Sequence, residues 1–78
     1  MNPHSVKVFS TPTCPHCIRA KVYLDSRGLN YENIDVSTDK DGVEEMVRIS
    51  GQMGVPVIVI DGEIVIGFDK PRIDSLLT

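Results

Sequence analysis

The sequence predicts an α/β protein whose elements follow the order β-α-β-α-β-β-α. Two stretches carry this prediction. In the first, an apolar segment, a helical segment and a second apolar segment succeed one another within about thirty residues, which is the pattern of a βαβ unit with parallel strands. In the second, Asp61-Gly62 separates two apolar runs, which is a strong signal for a type I′ hairpin of antiparallel strands. The sheet therefore combines both kinds of pairing.

The first strand and the first helix surround the two cysteines of the chain. Val6 to Phe9 is rich in β-forming residues and predicts a strand. A helix is predicted from Pro15 to about Arg27, with Gly28 placed to end it in the left-handed conformation. Cys17, Ala20 and Leu24 have helical spacing and should form its inward face. Ile18 and Val22 are expected to extend this apolar arc.

A second strand and a second helix come next. Tyr31 to Val36 predicts the strand that completes the βαβ unit. The helix has two overlapping capping patterns, one starting at Thr38 and one at Asp41, and both lead to the same apolar face. Gly51 supplies the stop signal.

The rest of the chain predicts a hairpin and a final helix. Val55 to Ile60 is the most apolar run, but Pro56 lacks the N–H that a central strand needs. The conflict is resolved if Pro56 opens the strand in a cis peptide; a trans proline at the strand start is the alternative. Glu63 to Ile66 forms the returning strand, and Lys70 to Leu77 forms a short helix.

Composition excludes several classes of protein. With 78 residues, 41% hydrophobic and 24% charged, the chain fits one globular domain, residues 1–78. We expect a cytoplasmic protein, because there is no apolar run of eighteen residues and the first residues do not resemble a signal peptide. We also expect the protein to be a monomer. The net charge of −3 offers no basic surface for nucleic acid. In such a compartment a cysteine pair is more often catalytic or metal-binding than structural.

The stretch Cys14-Pro15-His16-Cys17 is the strongest functional signal. It lies where a strand leads into a helix, so both sulfurs can occupy one helical turn. The thiolate of Cys14 is favoured by the unpaired N–H groups and the positive end of the helix dipole. We therefore predict Cys14 as the nucleophile and Cys17, deeper in the first turn, as the resolving thiol. Pro15 suits the first helical position, and a protonated His16 would add positive charge beside the thiolate.

Metal binding is the alternative for any Cys-x-x-Cys pair. The chain has only two cysteines and two histidines. His16 lies between the cysteines, and His4 alone cannot complete a tetrahedral site. We expect no metal held by a single chain, while a cluster shared between two chains remains open.

Taken together, these motifs resemble the glutaredoxin family over nearly the whole chain. The resemblance rests on the Cys14-Pro15-His16-Cys17 motif, on Gly54-Val55-Pro56 ahead of an apolar strand, on the Asp61-Gly62 hairpin and on Ile66-Gly67-Phe68-Asp69. The last segment is most similar to small bacterial glutaredoxin-like proteins of the YruB type and is shared in part with NrdH-type redoxins. The resemblance implies a thioredoxin fold, with a four-stranded mixed sheet flanked by three helices.

The resemblance also implies a substrate site. It makes Pro56 a cis proline that faces the cysteines, and it has Val55 pairing with bound peptide or glutathione like an added strand. Asp69, supported by Gly67 and Phe68, is the residue expected to bind the γ-glutamyl amine of glutathione. Residues next to the cysteines complete the predicted site, namely Thr13, Pro15 and His16.

The expected function is dithiol–disulfide exchange on protein disulfides or glutathione mixed disulfides, with no tightly bound cofactor. Glutathione, as co-substrate, or a thioredoxin-reductase-type flavoprotein would reset the protein. The alternative is an iron–sulfur carrier in which Cys14 of two chains and two glutathiones hold the cluster. Many glutaredoxins have a basic residue at Thr11, Tyr at His16 and Thr at Gly54, so glutathione would lose a charge partner here.

Overall fold

Residues 4–77 are described by a computed structural model, and they form the predicted elements in the predicted order. The strands and helices are β1 (Val6–Ser10), α1 (Pro15–Ser26), β2 (Glu32–Asp35), α2 (Lys40–Ser50), β3 (Val57–Ile60), β4 (Glu63–Ile66) and α3 (Lys70–Leu77). None of the helices within this range is long and apolar enough to cross a membrane.

The four strands form one mixed sheet in the order β2-β1-β3-β4. β1 runs parallel to β2 and antiparallel to β3, and the β3–β4 pair is antiparallel. Phe9 of β1 lies opposite Ile34 on one side and Val57 on the other. The strand that leads to the cysteines is therefore paired along both edges, and the predicted fold class is confirmed.

Alternation along the central strands divides the core between the two faces of the sheet. Val8 and Ile58 pack with Leu24 of α1 and Ile73 of α3. On the other face Phe9 and Val57 pack with Met46 of α2. Helices α1 and α3 thus cover one face of the sheet and α2 covers the opposite face.

The apolar arc predicted for α1 is too wide. Cys17, Ala20 and Leu24 are fully buried, but Ile18 is 49% exposed and Val22 is 61% exposed. Each residue of a helix is rotated about 100° from the one before, so residues two apart lie on nearly opposite sides. Val22 therefore faces solvent when Leu24 faces the sheet.

The start of α2 differs from both predicted caps, Thr38 and Asp41. The N-cap is Asp39, whose side chain accepts a hydrogen bond of 2.9 Å from the amide of Gly42. The turn after β2 decides this, since the amides of Thr38 and Asp39 both donate to the carbonyl of Asp35. Gly42 is required because a Cβ atom there would lie 2.5 Å from Cγ2 of Ile34.

The hairpin between β3 and β4 has the predicted type I′ geometry. Asp61 and Gly62 have φ values of 52° and 86°, and positive φ at both central residues defines this turn. The Asp61 carboxylate also accepts a 2.8 Å hydrogen bond from the amide of Ser5 and lies 2.6 Å from Nδ1 of His4. The hairpin is thereby tied to the chain just before β1.

Candidate active site

Cys14 lies at the N-cap of α1, with its sulfur turned back over the first turn. Its Sγ accepts a 3.2 Å hydrogen bond from the amide of Cys17, and its carbonyl accepts one of 3.1 Å from Ile18. Pro15 occupies the first helical turn, as predicted. The Cys14 sulfur therefore lies at the positive end of the helix dipole, a position that stabilises negative charge.

Cys17 lies one turn into the helix and is fully buried. Both cysteines are free thiols. Burial, together with the hydrogen bond to Cys14 and the charge of that residue, raises the pKa of the Cys17 thiol to about 11. The backbone amide of Thr11 and the charge of Lys21 act in the opposite direction. The two sulfurs thus occupy contrasting surroundings.

The Val55–Pro56 peptide bond lies against the first cysteine. It is cis, as the resemblance to glutaredoxins implies, and the Cys14 thiol donates to the Val55 carbonyl over 3.9 Å. Pro56 is fully buried, and its carbonyl accepts a 2.8 Å hydrogen bond from the amide of Gly67. β3 begins at Val57 instead of Val55, so Pro56 lies at the end of the β3–β4 ladder. Its carbonyl takes part in the pairing there, and its missing N–H is not needed.

A groove of about 510 Å³ opens beside Cys14. Val55 lines this groove, and its carbonyl accepts the hydrogen bond from the Cys14 thiol, so the groove adjoins the cysteine. Most of the predicted substrate-binding residues line it, together with three that were not predicted, Ile66, Lys70 and Pro71. The predicted members are His16, Val55, Pro56, Gly67, Phe68 and Asp69. Thr13 and Pro15 are exposed and lie outside this lining. The binding roles of all these residues stay predictions.

Asp69 combines a place in the groove with a structural contact. Its carboxylate accepts a 3.3 Å hydrogen bond from the amide of Arg72, and its carbonyl accepts one of 2.9 Å from Ile73. Asp69 therefore supports the first turn of α3 while it faces the groove. Its carboxylate adds negative charge to this wall.

A polar network stands behind the same wall. The Lys70 ammonium lies 2.9 Å from Asp74 and 4.9 Å from the centroid of the Tyr23 ring. The Tyr23 ring contacts Phe68, with ring centroids 5.8 Å apart. Asp74 also accepts hydrogen bonds from the hydroxyl of Tyr23 and, at 3.0 Å, from Arg27. These hydroxyl and ammonium contacts hold the pKa of the Asp74 carboxyl below its usual range.

Sequence analysis missed this network. The Lys70–Asp74 pair has i,i+4 spacing, which is a usable signal for a helical ion pair. The contact between Tyr23 and Asp74 joins positions 51 residues apart and has no local signature.

The residues available to a metal ion are few. Within residues 4–77 there is no cluster of three or more histidine, cysteine, aspartate or glutamate side chains that could hold one.

Comparison with known proteins agrees with this geometry. The sequence model of the glutaredoxin family matches residues 6–65. The chain belongs to the glutaredoxin family. A glutaredoxin-like 8.6 kDa protein from a rubredoxin operon of Clostridium pasteurianum is 47% identical over 72 residues, covering 92% of this chain and 96% of the relative. Glutaredoxin 3 of Escherichia coli is 35% identical over 65 residues, covering 83% of this chain and 78% of the relative.

Among solved structures, the thioredoxin-like protein BC3987 superimposes with a TM-score of 0.88. It is 32% identical in sequence, and the match covers 94% of this chain and all of that protein. The thioredoxin fold implied by the motifs is therefore confirmed.

Proposed function

We propose that this glutaredoxin is a dithiol–disulfide oxidoreductase that reduces protein disulfides or glutathione mixed disulfides. Cys14 is the nucleophile and Cys17 is the resolving thiol. The observation that carries the proposal is the contrast between the two sulfurs. The Cys14 sulfur lies at the start of α1 and accepts a 3.2 Å hydrogen bond from the amide of Cys17, whereas Cys17 is fully buried.

The reaction has two exchange steps. The Cys14 thiolate attacks one sulfur of the substrate disulfide, forms a mixed disulfide and releases the other half of the substrate as a thiolate. Cys17 then loses its proton and attacks the Cys14 sulfur, which closes the Cys14–Cys17 disulfide and releases the second half. Two electrons pass from the protein to the substrate, which takes up two protons.

The surroundings of Cys17 suit this sequence. Its raised pKa keeps the resolving thiol protonated at neutral pH until the mixed disulfide has formed. Two of the causes that raise this pKa, the hydrogen bond and the charge of Cys14, are weakened once Cys14 becomes a neutral mixed disulfide. The Thr11 amide and Lys21, which favour the Cys17 thiolate, remain in place. Formation of the mixed disulfide therefore makes Cys17 easier to ionise at the step that needs its thiolate.

The groove beside Cys14 supports a peptide-like substrate. Val55 and Pro56 line it directly after a loop and before β3, so an extended segment can lie along this backbone like an added strand. Glutathione or a thioredoxin-reductase-type flavoprotein then reduces the Cys14–Cys17 disulfide. We propose that the protein works as a monomer in the cytoplasm, where the reducing conditions keep this dithiol available.

Two matched variants test the roles of the cysteines. Cys14→Ser should abolish reduction of a glutathionylated peptide. Cys17→Ser should instead accumulate a mixed disulfide between Cys14 and the peptide, which intact-protein mass spectrometry detects as a covalent adduct. If the serine at position 14 leaves the rate unchanged, or Cys14→Ser accumulates an adduct on Cys17, the assignment is wrong.

A second experiment identifies the reductant. The oxidised protein is mixed with glutathione, or with a thioredoxin reductase and NADPH, and the return of free thiols is followed over time. Glutathione should restore both thiols through a Cys14–glutathione mixed disulfide, whereas the flavoprotein should do so without any glutathione adduct, by exchange with its own dithiol. If neither restores the thiols, the proposed catalytic cycle is contradicted.

A further inference from the structure

The groove beside Cys14 contains a lysine whose ammonium group is already paired with a carboxylate. Of the residues that line the groove, Lys70 carries the ammonium group and Asp69 the carboxylate. The Lys70 ammonium lies 2.9 Å from Oδ2 of Asp74 and over the face of the Tyr23 ring, 4.9 Å from its centroid. Asp74 itself is not part of the lining, so its effect on a ligand is indirect and passes through Lys70.

Asp74 is well placed to keep this pairing. Its second oxygen, Oδ1, accepts from the Tyr23 hydroxyl and from Arg27. Tyr23 is in turn packed against Phe68 in the groove wall. Contacts from α1 thus hold the Asp74 carboxylate beside Lys70, and the lowered pKa of Asp74 keeps it ionised at neutral pH.

The charge left for a ligand is therefore negative on this wall. The ammonium of Lys70 is offset by Asp74, while the Asp69 carboxylate still faces the groove. A disulfide that carries carboxylates would meet Asp69 without gaining a salt bridge to Lys70. A disulfide that carries amines or no charge avoids this repulsion.

We propose that Asp74 is a specificity-determining residue, which disfavours negatively charged disulfides by holding the Lys70 ammonium. The inference rests on the proposed function and refines its substrate class. It predicts a preference for segments that are neutral or basic around the disulfide.

Three small disulfides of similar size separate charge from shape. Cystamine is a dication, bis(2-hydroxyethyl) disulfide is neutral and 3,3′-dithiodipropionate is a dianion. Each oxidises the reduced protein to the Cys14–Cys17 disulfide and leaves as two thiols, so electrons and protons balance without another reductant. Acid quenching followed by mass spectrometry gives the rate constant of protein oxidation for each compound.

We expect the native protein to react with cystamine faster than with dithiodipropionate, after each rate is divided by that of a chemically reduced model dithiol. In Asp74→Asn, which keeps the shape of the side chain, the rate with dithiodipropionate should rise about two- to fivefold relative to the neutral disulfide, the range of an exposed ion pair. The gain should shrink in high salt. It should be lost in Asp74→Asn/Lys70→Ala.

A matched control separates this effect from net charge. Glu44→Gln changes the net charge from −3 to −2, as Asp74→Asn does, but lies exposed on α2, across the sheet from α1 and α3. Glu44→Gln should leave unchanged the ratio of the rate with dithiodipropionate to the rate with the neutral disulfide. Lys70→Ala alone should lower the rate with dithiodipropionate relative to the neutral disulfide, because it leaves the Asp74 carboxylate unpaired beside the groove.

Two results would overturn the inference. One is an equal ratio in Asp74→Asn and the native protein; the other is a gain with dithiodipropionate in Asp74→Asn that persists undiminished in Asp74→Asn/Lys70→Ala. Failure of the proposed function gives a different result. In that case the native protein reacts with none of the three disulfides faster than an unfolded control, whatever their charge.

Discussion

Burial of the second cysteine predicts strong protection from alkylation. A thiol with a pKa of about 11, against an ordinary 9.0, is ionised about a hundredfold less at pH 8. Because the thiolate is the reactive form, Cys17 should react with iodoacetamide at least about a hundred times more slowly in the folded protein than in urea. Its side chain is 0% exposed, and this closure can only add to the protection.

The assay counts which cysteine is labelled first. Reduced protein is given brief pulses of iodoacetamide at pH 8, with and without urea, and fragmentation of the singly labelled peptide assigns the label to Cys14 or Cys17. The unfolded sample is the matched control, since both thiols are then accessible. A Cys17 rate in the folded protein within tenfold of its rate in urea would refute the reasoning, because neither burial nor the raised pKa could then be as described.

Three further predictions concern stability, each measured by urea unfolding with far-UV circular dichroism. In reductant, unfolded Cys17 loses its proton from about pH 9 and folded Cys17 only near pH 11, so the unfolded state binds fewer protons in this window and stability falls as pH rises. The fall attributable to Cys17 is about 2–3 kcal/mol and should be absent from Cys17→Ala; a constant difference between the two proteins contradicts it. Leu24→Ala should cost about 2–5 kcal/mol, because the side chain is fully buried, whereas Val22→Ala should change stability by less than about 0.5 kcal/mol; similar losses would show that α1 is rotated. Asp39→Ala should cost about 1 kcal/mol by removing the N-cap of α2, and no loss would contradict that assignment.

The sequence was sufficient for most of the fold because its local signals agree with one another. The Asp61-Gly62 turn requires two positive φ values, and the structure has both. The Pro56 conflict was also informative, since a residue without an N–H had to lie at the end of a ladder. Local chemistry of this kind depends on few neighbours and is therefore visible in the sequence.

The errors arose where a distant contact decides between equal local choices. Thr38, Asp39 and Asp41 are all good N-caps, and the turn from Asp35 selects Asp39. Val22 is apolar and lies on a helix, but only the docking of α1 on the sheet determines that it faces outward.

The candidate site divides in the same way. The positions of Cys14 and Cys17 follow from their spacing at a strand–helix junction. The network behind the groove wall depends on a hydrogen bond between Tyr23 and Asp74, which are far apart in the sequence. No local pattern encodes that contact.

The position of β1 inside the sheet has a consequence for how the molecule can diversify. The loop that leads to both cysteines follows a strand that is paired along both edges, whereas much of the groove wall comes from residues 66–71, at and after the end of the sheet's outermost strand, β4. Substitutions in that outer segment can alter which molecules are accepted, with little disturbance of the reactive pair. Chemistry and selectivity are thereby assigned to parts of the chain that are able to evolve separately.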